Sequence, residues 1–428
     1  MRSKSIDFLF IAPTPFYANR GCHMRIRGEA EALQRKGYKV TILTYKEGSN
    51  VFGLKIKRSP LSYGKFEKGV ASSWLNIPNG IFLFFSVMHE TIYQKPKVLY
   101  GHLFEGAAIG IVVKYLALVF SWFSYKPILV LDTQGSLVEE MGSYGMYKKG
   151  TFLAAFFRFW EKFILFFSDF VFTSSIQCAD KIKLISPKSN PVNLPDGISI
   201  FIPKISESYI RQYFGNNSKN KALAKIKDFF SQNQFALVGE WIAQQKIIIL
   251  YTGSYASAKG FPDVIEKCLP ALLKKNNLRF LFGGGDYAKI PQLENLIKKY
   301  PEKIISPGEL SPDKLLYFSL LGSIGIDCKP SLTSESSGKI LNYMAVGLPV
   351  ICFNQKNNRF FLKEGGLFAK DFSEFTQNII SLSKDSSLIT KMGAMNFTRV
   401  WNEFTWDLQM AKMLSIIKVI IKLRCTKF

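Results

Sequence analysis

The sequence predicts an α/β protein of two domains, each built on a doubly wound parallel sheet. The chain has 428 residues, which is more than one hydrophobic core usually organises, so two domains of roughly 200 residues each are expected. In both halves, apolar runs of strand length alternate with longer runs of helical length. That alternation is typical of parallel strands joined by helices that cover both faces of a sheet.

The first half opens with one βαβ unit. The run Phe8–Ala12 predicts a strand, the amphipathic run Met24–Lys36 a helix, and Val40–Thr44 a second strand. Further strands are predicted at Val98–Tyr100, Ile128–Leu131 and Phe170–Thr173. The turn sequence Pro195-Asp196-Gly197 predicts the end of this domain, to which we assign residues 1–197.

A polar, irregular stretch at 198–246 is predicted to connect the two domains. The alternation then restarts, and we assign residues 247–400 to the second domain. Its predicted strands are Ile247–Tyr251, Leu278–Phe282, Ser323–Asp327 and Val350–Phe353, and a helix is predicted over Pro262–Lys275. The basic, amphipathic segment 401–428 is predicted as a C-terminal helix that either crosses back to the first domain or lies on a bilayer.

The composition favours a partner with negative charge. The formal net charge is +24, and the lysines and arginines of the first half are interleaved with Phe, Trp, Leu and Ile, which favours a lipid interface over nucleic acid. The apolar stretches Gly80–His89, Gly106–Tyr125 and Thr151–Phe172 are short or interrupted by charge, so they predict packing helices or peripheral attachment rather than spans. Because Met1–Asp7 lacks a signal peptide's apolar run, we expect a cytoplasmic protein, peripheral at the inner face of the membrane.

The metal-binding residue types are few and widely spaced. Six cysteines form no Cys-x-x-Cys pair, and three histidines show no metal-ligand spacing. We therefore expect free thiols in a reducing compartment, no bound metal and no cofactor. Gly283-Gly284-Gly285 lacks the spacing of a dinucleotide fingerprint and predicts a tight turn.

The segment from Ser334 to Val350 carries the most chemical information. Gly338 is predicted to begin a helix, and the amide groups and positive dipole end of a helix N-terminus bind phosphates. The predicted diphosphate site comprises Ser336, Ser337, Gly338 and Lys339. Glu335, just before it, is a candidate for sugar hydroxyls, and Asn342 a candidate for ribose.

With its run Ala345-Val346-Gly347-Leu348-Pro349-Val350, the sequence resembles the retaining GT-B glycosyltransferases of the large family 4 type, the glycosyl transferases group 1. The resemblance covers nearly the whole chain. It implies the GT-B fold, in which two Rossmann-like domains face a central cleft. That family carries two glutamates in this segment. Glu335 matches the first only with a one-residue shift, and Asn342 stands where the second is usual.

Other loops match the family in part. The family's Gly-Arg-x-x-x-x-Lys-Gly loop corresponds to Gly253 through Gly260, so Lys259 is retained and Ser254 replaces the arginine. The resemblance implies that Lys259 neutralises the donor diphosphate, although a solvated loop lysine is the alternative. Gly308-Glu309-Leu310 resembles the loop that meets the nucleotide base, which makes Glu309 and Leu310 donor-binding candidates.

The first domain supplies the remaining candidates. The segment with Arg20 and Gly21 resembles the family's glycine-rich loop that closes over the donor. His102 lies in a predicted strand-end loop and is, with Glu335, our candidate catalytic residue, the alternative being an ordinary hydrogen-bonded histidine. Many relatives carry a histidine near the sugar where this chain has Gln134. The acceptor-side candidates are Arg20, Arg25, Asp132 and Gln134.

The resemblance implies a metal-independent, retaining transfer of a hexose from a nucleotide-diphosphate sugar to a hydroxyl acceptor. We expect a lipid-linked or saccharide acceptor, an anionic membrane surface as partner, no nucleic acid, and a role in cell-envelope polysaccharide or glycolipid synthesis. Two alternatives stay open. One is a catalytically weakened membrane scaffold, suggested by Ser254, Asn342 and Gln134. The other is a GT-B sugar-nucleotide epimerase.

Overall fold

The computed structural model describes residues 7–18, 21–64, 76–143, 146–147, 150–198, 207–211, 218–329, 334 and 336–425. They fall into two compact units. The first comprises Met1–Gly197, Thr333–Ser336 and Trp406–Phe428, and the second comprises Ile198–Leu332 and Ser337–Thr405.

The first unit is built on a parallel sheet. Its strands within the described ranges are β1 Phe8–Ala12, β2 Val40–Thr44, β3 Lys55–Arg58, β4 Val98–His102, β5 Ile128–Thr133, β6 Phe170–Thr173 and β7 Val192–Asn193. They lie in the order β3-β2-β1-β4-β5-β6-β7, and each neighbouring pair is parallel. The chain therefore reverses its direction of growth between β1 and β4, which is the switch point of a doubly wound sheet.

Helices cover both faces of this sheet. They are α1 Gly21–Arg35, α2 Asn76–Gln94, α3 Leu103–Phe120, α4 Leu137–Ser143, α5 Phe152–Phe167, α6 Ile176–Ile185 and, from the far end of the chain, α18 Trp406–Cys425. Alternate strand residues point to opposite faces. Phe8 and Phe10 pack with α1 and α18, whereas Leu9 and Ile11 pack with the helices α2, α3, α5 and α6.

The C-terminal helix is tightly packed in the first unit. Met410, Met413 and Ile417 of α18 are buried in the same cluster as Ile26 of α1. A Cβ at Gly28 of α1 would lie 2.2 Å from Trp406 Nε1. Only a glycine at this position of α1 allows the indole to approach so closely. The Trp406 ring of α18 therefore occupies the space that a side chain at Gly28 would fill.

The second unit repeats the architecture. Its described strands are β8 Ile247–Thr252, β9 Leu278–Gly283, β10 Ile304–Gly308, β11 Ile324–Asp327, β12 Val350–Phe353 and β13 Gly366–Ala369. The order is β10-β9-β8-β11-β12-β13, again with parallel neighbours. The switch point of this sheet lies between β8 and β11.

The helices of the second unit begin before its first strand. They are α7 Glu207–Arg211, α8 Ser218–Lys225, α9 Gln232–Ala243, α10 Phe261–Lys267, α11 Leu269–Leu272, α12 Pro291–Lys299, α13 Pro312–Leu320, α14 Gly338–Ala345, α15 Lys356–Leu362, α16 Phe372–Leu382 and α17 Ser386–Glu403. The sequence predicts a connection over 198–246, but α7, α8 and α9 bury Ile210, Leu223 and Trp241 in this unit's core. Their apolar side chains make these helices part of the unit rather than a linker.

Two further differences have local causes. The predicted helix Pro262–Lys275 is divided at Cys268 into α10 and α11, because Pro270 has no amide hydrogen for a continuous helical ladder. The final segment was expected as one helix from residue 401, but α17 runs to Glu403 and α18 begins at Trp406.

Among the described helices, α3 is long and apolar enough to cross a membrane, judged by length and composition alone. Its residues Phe104, Ala107 and Val113 are buried in the core of the first unit. The core helices of many proteins have this same composition, so α3 is weak evidence for a span.

Candidate functional site

The carboxyl ends of the central strands in the second unit are lined by backbone rather than side chains. Gly253 follows β8, Gly284 follows β9, and Gly308 ends β10. All three have positive φ angles, of 129°, 111° and 116°, which glycine adopts most readily. Ligands of doubly wound sheets bind at this edge, and here a ligand could approach the main chain directly.

Main-chain hydrogen bonds hold these glycines side by side. Gly253 N donates to Gly283 O at 2.8 Å, and Gly284 N donates to Gly308 O at 2.8 Å. A Cβ at Gly284 would lie 2.8 Å from Gly253 N, so only glycine fits there. The loop predicted to hold a diphosphate thus lies close to the loop predicted to meet the base. Gly283 ends β9 and Gly284 lies in the bend that follows, so the triple glycine, predicted as a tight turn, has a role in this packing.

The helix predicted to bind phosphate begins at Gly338, as expected. The Ser337 side chain precedes the helix and does not cap it, which leaves first-turn amides to other partners. Lys339 lies in the first turn, and its Cε would be 3.3 Å from a Cβ at Gly253. The first turn of α14 and the end of β8 therefore meet at the switch point of the sheet.

Lys339 is held there by a buried partner that the sequence did not suggest. Its Nζ lies 3.0 Å from Asp327 Oδ1, at the end of β11, and 4.8 Å from the centre of the Tyr251 ring. Burial opposes the charge of the ammonium, but the Asp327 carboxylate outweighs it and raises the pKa of Lys339 above its ordinary value. Lys339 is therefore a fixed cation beside Gly253.

The loop after β8 is braced by aromatic side chains. Tyr251 Oη donates to Ser254 O at 2.8 Å, and the rings of Tyr251 and Tyr255 both stack on Phe261. Lys259 ends a short turn that closes at Gly260 and is half-buried. The position of Ser254 is exposed, so a longer side chain fits there.

The later residues of α14 are mostly core. Asn342, predicted to contact ribose, is buried. Tyr343 is completely buried, and its hydroxyl oxygen accepts a hydrogen bond from Thr252 N at 2.7 Å, which ties α14 to the end of β8. Glu309 and Leu310 follow directly after β10. They lie beside the edge of the sheet formed by Gly253, Gly284 and Gly308, which we call the glycine edge.

One predicted residue lies apart from this group, and two others are not among the described residues. Ser336 is assigned to the first unit, where it donates a hydrogen bond to Asp196 Oδ2 at 3.3 Å. Glu335 and Arg20 lie outside the described residues. Their predicted roles in catalysis and acceptor binding stay predictions.

In the first unit, two of the acceptor-side candidates, Arg25 and Asp132, belong to a buried charge cluster. The Arg25 guanidinium of α1 lies 2.5 Å from Asp132 Oδ1 and 3.1 Å from Glu29 Oε1. It also lies 2.8 Å from Asp196 Oδ1. His102 Nδ1 is 3.2 Å from Asp132 Oδ2. His102 and Asp132 lie at the carboxyl ends of β4 and β5, next to the switch point between β1 and β4.

The cluster distributes its charges unequally. Burial raises the pKa of the Glu29 carboxyl well above its ordinary value, although Arg25 opposes this rise. Asp132 is equally buried, but Arg25 and then His102 outweigh burial and lower its pKa to about 2. Burial also lowers the pKa of His102. At neutral pH we therefore expect an ionised Asp132 and an uncharged His102, and Glu29 is the carboxyl group of the pair that takes up a proton more readily.

Glu29, His102 and Asp132 bring their ligand atoms within 4.8 Å of one another, as a metal site requires. The Arg25 guanidinium already contacts both carboxyl groups. A divalent cation here would have to lie against that positive charge, so the donor set fits arginine better than a metal.

The loop after β1 is fixed by another buried histidine. His23 Nε2 lies 2.5 Å from Thr14 Oγ1, and His23 Nδ1 accepts a hydrogen bond from Ala18 N at 2.8 Å. This pairing orients the loop that precedes Gly21, where α1 begins. Gln134 follows β5 and is half-buried.

Sequence reasoning missed the partners that position the candidates. Asp327 ends a predicted strand, and a polar residue at a strand's carboxyl end was the available signal. Glu29 lies four residues after Arg25, on the same helix face, which could have indicated the pair. Asp196 was read only as part of a turn.

Comparisons with known proteins agree with this architecture. Residues 246–385 match the family model described as Glycosyl transferases group 1. No curated protein gave a sequence match. Among solved structures, the sucrose-phosphate synthase from Thermosynechococcus elongatus superposes with a TM-score of 0.70 at 16% identity, covering 98% of this chain and 100% of that chain.

Two other structures are similar along their full length. The catalytic domain of starch synthase IV from Arabidopsis thaliana, bound to ADP and acarbose, has a TM-score of 0.68 at 11% identity, covering 96% of this chain and 98% of that chain. HepE from Anabaena in complex with UDP-glucose has a TM-score of 0.66 at 11% identity, covering 96% and 99%.

The chain has the GT-B fold. The predicted fold class of two parallel-sheet α/β domains is confirmed, and so is the resemblance to GT-B glycosyltransferases of group 1. The family 4 type, the retaining mechanism and the site residues stay predictions.

Proposed function

We propose that this GT-B protein is a retaining glycosyltransferase that moves a hexose from a nucleotide-diphosphate sugar to a hydroxyl acceptor. The observation that carries the proposal is the glycine-lined edge of the second unit, where Lys339 lies beside Gly253. This edge falls within the region that matches the group 1 family model. Family and fold support glycosyltransferase activity.

A nucleoside diphosphate suits this edge for electrostatic reasons. Its two phosphates need positive charge and amide donors, which the first turn of α14, Lys339 and Lys259 can supply. The structure of HepE holds UDP-glucose, and that of starch synthase IV holds ADP. We therefore infer a nucleotide-diphosphate sugar as donor, with the diphosphate at α14 and the base toward Glu309 and Leu310.

The transfer itself needs no covalent nucleophile in this scheme. The bond between the anomeric carbon and the diphosphate breaks, and the acceptor oxygen bonds to that carbon from the same face. The acceptor proton passes to the departing diphosphate oxygen. The negative charge that develops on the diphosphate is stabilised by Lys259, Lys339 and the α14 amides, which lowers the barrier. We propose no role for a metal.

A lipid-linked or saccharide acceptor, in cell-envelope polysaccharide or glycolipid synthesis, is part of this proposal. The formal charge of +24 and the aromatic residues of the first half support an enzyme that works at the cytoplasmic face of an anionic membrane.

The alternative of a catalytically weakened membrane scaffold rests on Ser254, Asn342 and Gln134, which stand where the resemblance implies an arginine, a glutamate and a histidine. The Lys339 ammonium beside Gly253 favours an active enzyme over a scaffold. Together with Lys259 it gives the loop a second positive charge although the arginine is missing.

A transfer assay tests the proposal. The purified full chain is incubated with UDP-, GDP- and ADP-sugars, labelled in the sugar, and a lipid extract. We expect one donor to label the lipid fraction, with the product in the anomeric configuration of the donor. Lys259→Ala should lose most of this transfer, whereas Lys275→Ala, an exposed lysine before the amino end of β9, should keep it. A product of inverted configuration, or no transfer by folded protein, would overturn the proposal.

A further inference from the structure

One face of the first unit carries aromatic side chains that the described structure leaves uncovered. On α5, Phe152, Phe156, Phe159 and Phe166 are exposed, the first to 85%. Their spacings of four, three and seven residues place them along one side of the helix. Soluble proteins seldom expose such a contiguous apolar stripe unless it meets a partner.

Ring contacts extend the stripe to the neighbouring helix. Phe159 contacts Phe163, Phe163 contacts Phe167, and Phe167 contacts Tyr115 of α3, with ring centres 6.2, 4.5 and 5.9 Å apart. Both helices lie on the same face of the sheet. We call the exposed aromatic residues of α5 and of the C-terminal end of α3 the aromatic face.

The turn after α3 adds two protruding residues. Trp122 and Phe123 are 91% and 73% exposed and have φ angles of 51° and 64°. Trp122 N donates to Val119 O and Phe123 N donates to Leu118 O, which is the pattern of a Schellman cap. Glycine is favoured in such a cap, so two aromatic residues there are strained. Strain of this kind is found at functional positions.

The aromatic face is bordered by positive charge. Arg158 and Lys162 of α5 and Lys126 after α3 are exposed. Glu161 is the one acidic residue between Glu140 and Asp169; it is completely buried, and burial raises the pKa of its carboxyl. Between Glu105 and Asp132 the sequence has no acidic residue.

We propose that the aromatic face binds an anionic lipid bilayer, with Trp122, Phe123 and Phe152 in the interfacial layer. Aromatic side chains flanked by lysine and arginine favour that layer. A second copy of the chain fits less well, because a two-fold interface would place these same cations against one another without acidic partners. One part of the inference rests on the proposed function: the bilayer is the source of the acceptor.

The aromatic face extends from one edge of the sheet to the other. α3 runs from the end of β4 to the amino end of β5, so Trp122 and Phe123, which follow it, lie toward the amino edge. α5 leads through Ser168 and Asp169 into the amino end of β6, so it runs antiparallel to the strands. Phe152, at the other end of this helix, therefore lies toward the carboxyl edge of the sheet. This is the edge that carries His102 and Asp132. A lipid acceptor entering from the bilayer beside Phe152 would meet the unit at this carboxyl edge.

Vesicle binding tests the inference with the full chain and without donor or acceptor. Cosedimentation is measured with vesicles of phosphatidylcholine alone and mixed with phosphatidylglycerol. The double variants are Trp122→Ser with Phe123→Ser, Phe152→Ser with Phe159→Ser, and Arg158→Gln with Lys162→Gln. The control is Leu408→Ser, an exposed apolar residue on α18, which covers the opposite face of the sheet.

We expect wild type and Leu408→Ser to bind the anionic vesicles alike. Each aromatic double variant should bind them roughly a hundredfold more weakly. The Arg158/Lys162 variant should bind roughly 25-fold more weakly and lose most of the salt dependence. Circular dichroism checks folding, and at least the Trp122/Phe123 variant should fold normally because both side chains are outside the core.

Two results would overturn the inference. One is vesicle binding that is absent in wild type or unchanged in both aromatic variants. The other is a dimer in sedimentation velocity that the Trp122/Phe123 variant converts to monomer, which would assign the face to a second copy. Vesicle binding without any nucleotide binding would support the membrane-binding role of the aromatic face and would contradict the proposed transferase activity.

Discussion

Lys339 Nζ and Asp327 Oδ1 form a buried ion pair, 3.0 Å apart, at the point where β11 ends and α14 begins. The pair fixes a cation beside Gly253, and the loop predicted to hold the diphosphate has Ser254 where the resemblance implies an arginine. We interpret Lys339 as the positive charge that replaces the missing arginine at the donor diphosphate. If so, variants of Lys339 and Asp327 should change nucleotide affinity and the free energy of unfolding independently.

Lys339→Met should weaken nucleoside diphosphate binding by about tenfold or more. It should also destabilise the fold by about 3–5 kcal/mol, because Asp327 is left as an unpaired buried charge. Adding Asp327→Asn should restore most of the stability but not the binding. Lys298→Met, on exposed α12, is the matched control. Calorimetric titration and thermal unfolding give both quantities, and a double variant that regains nucleotide affinity would show that Lys339 is only structural.

Ser254→Arg should tighten nucleoside diphosphate binding. The exposed position gives an arginine room to reach the phosphates, and a bidentate contact of this kind adds about 1.4 kcal/mol, or tenfold in affinity. Ser257→Arg, three residues along the same loop and exposed as well, controls for the added charge. If both variants gain equally, the effect is general electrostatic attraction rather than replacement of the missing residue.

Glu29→Gln should change how stability depends on pH. Burial raises the pKa of Glu29 in the folded protein above its unfolded value. Its stabilising contribution is therefore complete below the unfolded pKa, near 4.5, and is lost progressively as the pH rises toward the folded pKa. Each pH unit in that window costs about 1.4 kcal/mol. Glutamine does not ionise, so the variant should lack this slope.

Denaturant unfolding at a series of pH values from about 5 upward measures the slope for wild type and variant. Asp132 serves as the contrast. Arg25 outweighs burial and lowers the pKa of Asp132 to about 2, so its contribution is present above its ordinary pKa and is lost only in acid. Identical slopes in wild type and Glu29→Gln would show that Glu29 is ionised in the folded protein.

Gly28→Ala should destabilise the first unit by about 1–3 kcal/mol, because the new Cβ would lie 2.2 Å from the Trp406 indole. The comparison is Gly80→Ala in α2, where a Cβ would meet nothing within 4 Å. That change should stabilise by up to about 1 kcal/mol, as alanine does in helices. Thermal unfolding of both variants checks the opposite signs. Stabilisation by Gly28→Ala would mean that α18 does not pack on α1 as described.

The central strands could be predicted because each is buried on both faces. Phe8–Ala12 and Val350–Phe353, for example, are continuous apolar runs, and their observed bounds equal the predicted ones. The edge strands were missed for the same physical reason. Lys55–Arg58 is polar and partly exposed, and Ile304–Gly308 contains Pro307 and ends in glycine, so neither shows the pattern of a buried strand.

The candidate site was predictable where local sequence determines geometry. Gly338 begins α14 as the sequence predicts, and Gly253 follows the predicted strand β8. Pairings between distant residues were not predictable. Arg25 and Asp132 are 107 positions apart, and only the parallel order of β1, β4 and β5 brings their elements together. Asp327 shows its role only once α14 is placed over β11.

Nucleotide binding tests the central claim most directly. Wild type and Lys259→Ala are titrated with UDP, GDP and ADP while thermal unfolding is followed. We predict that one nucleotide raises the unfolding temperature of wild type in a saturable way and that Lys259→Ala loses most of this rise. A well-folded wild type that none of the three stabilises would contradict a donor site at the glycine edge and favour the scaffold.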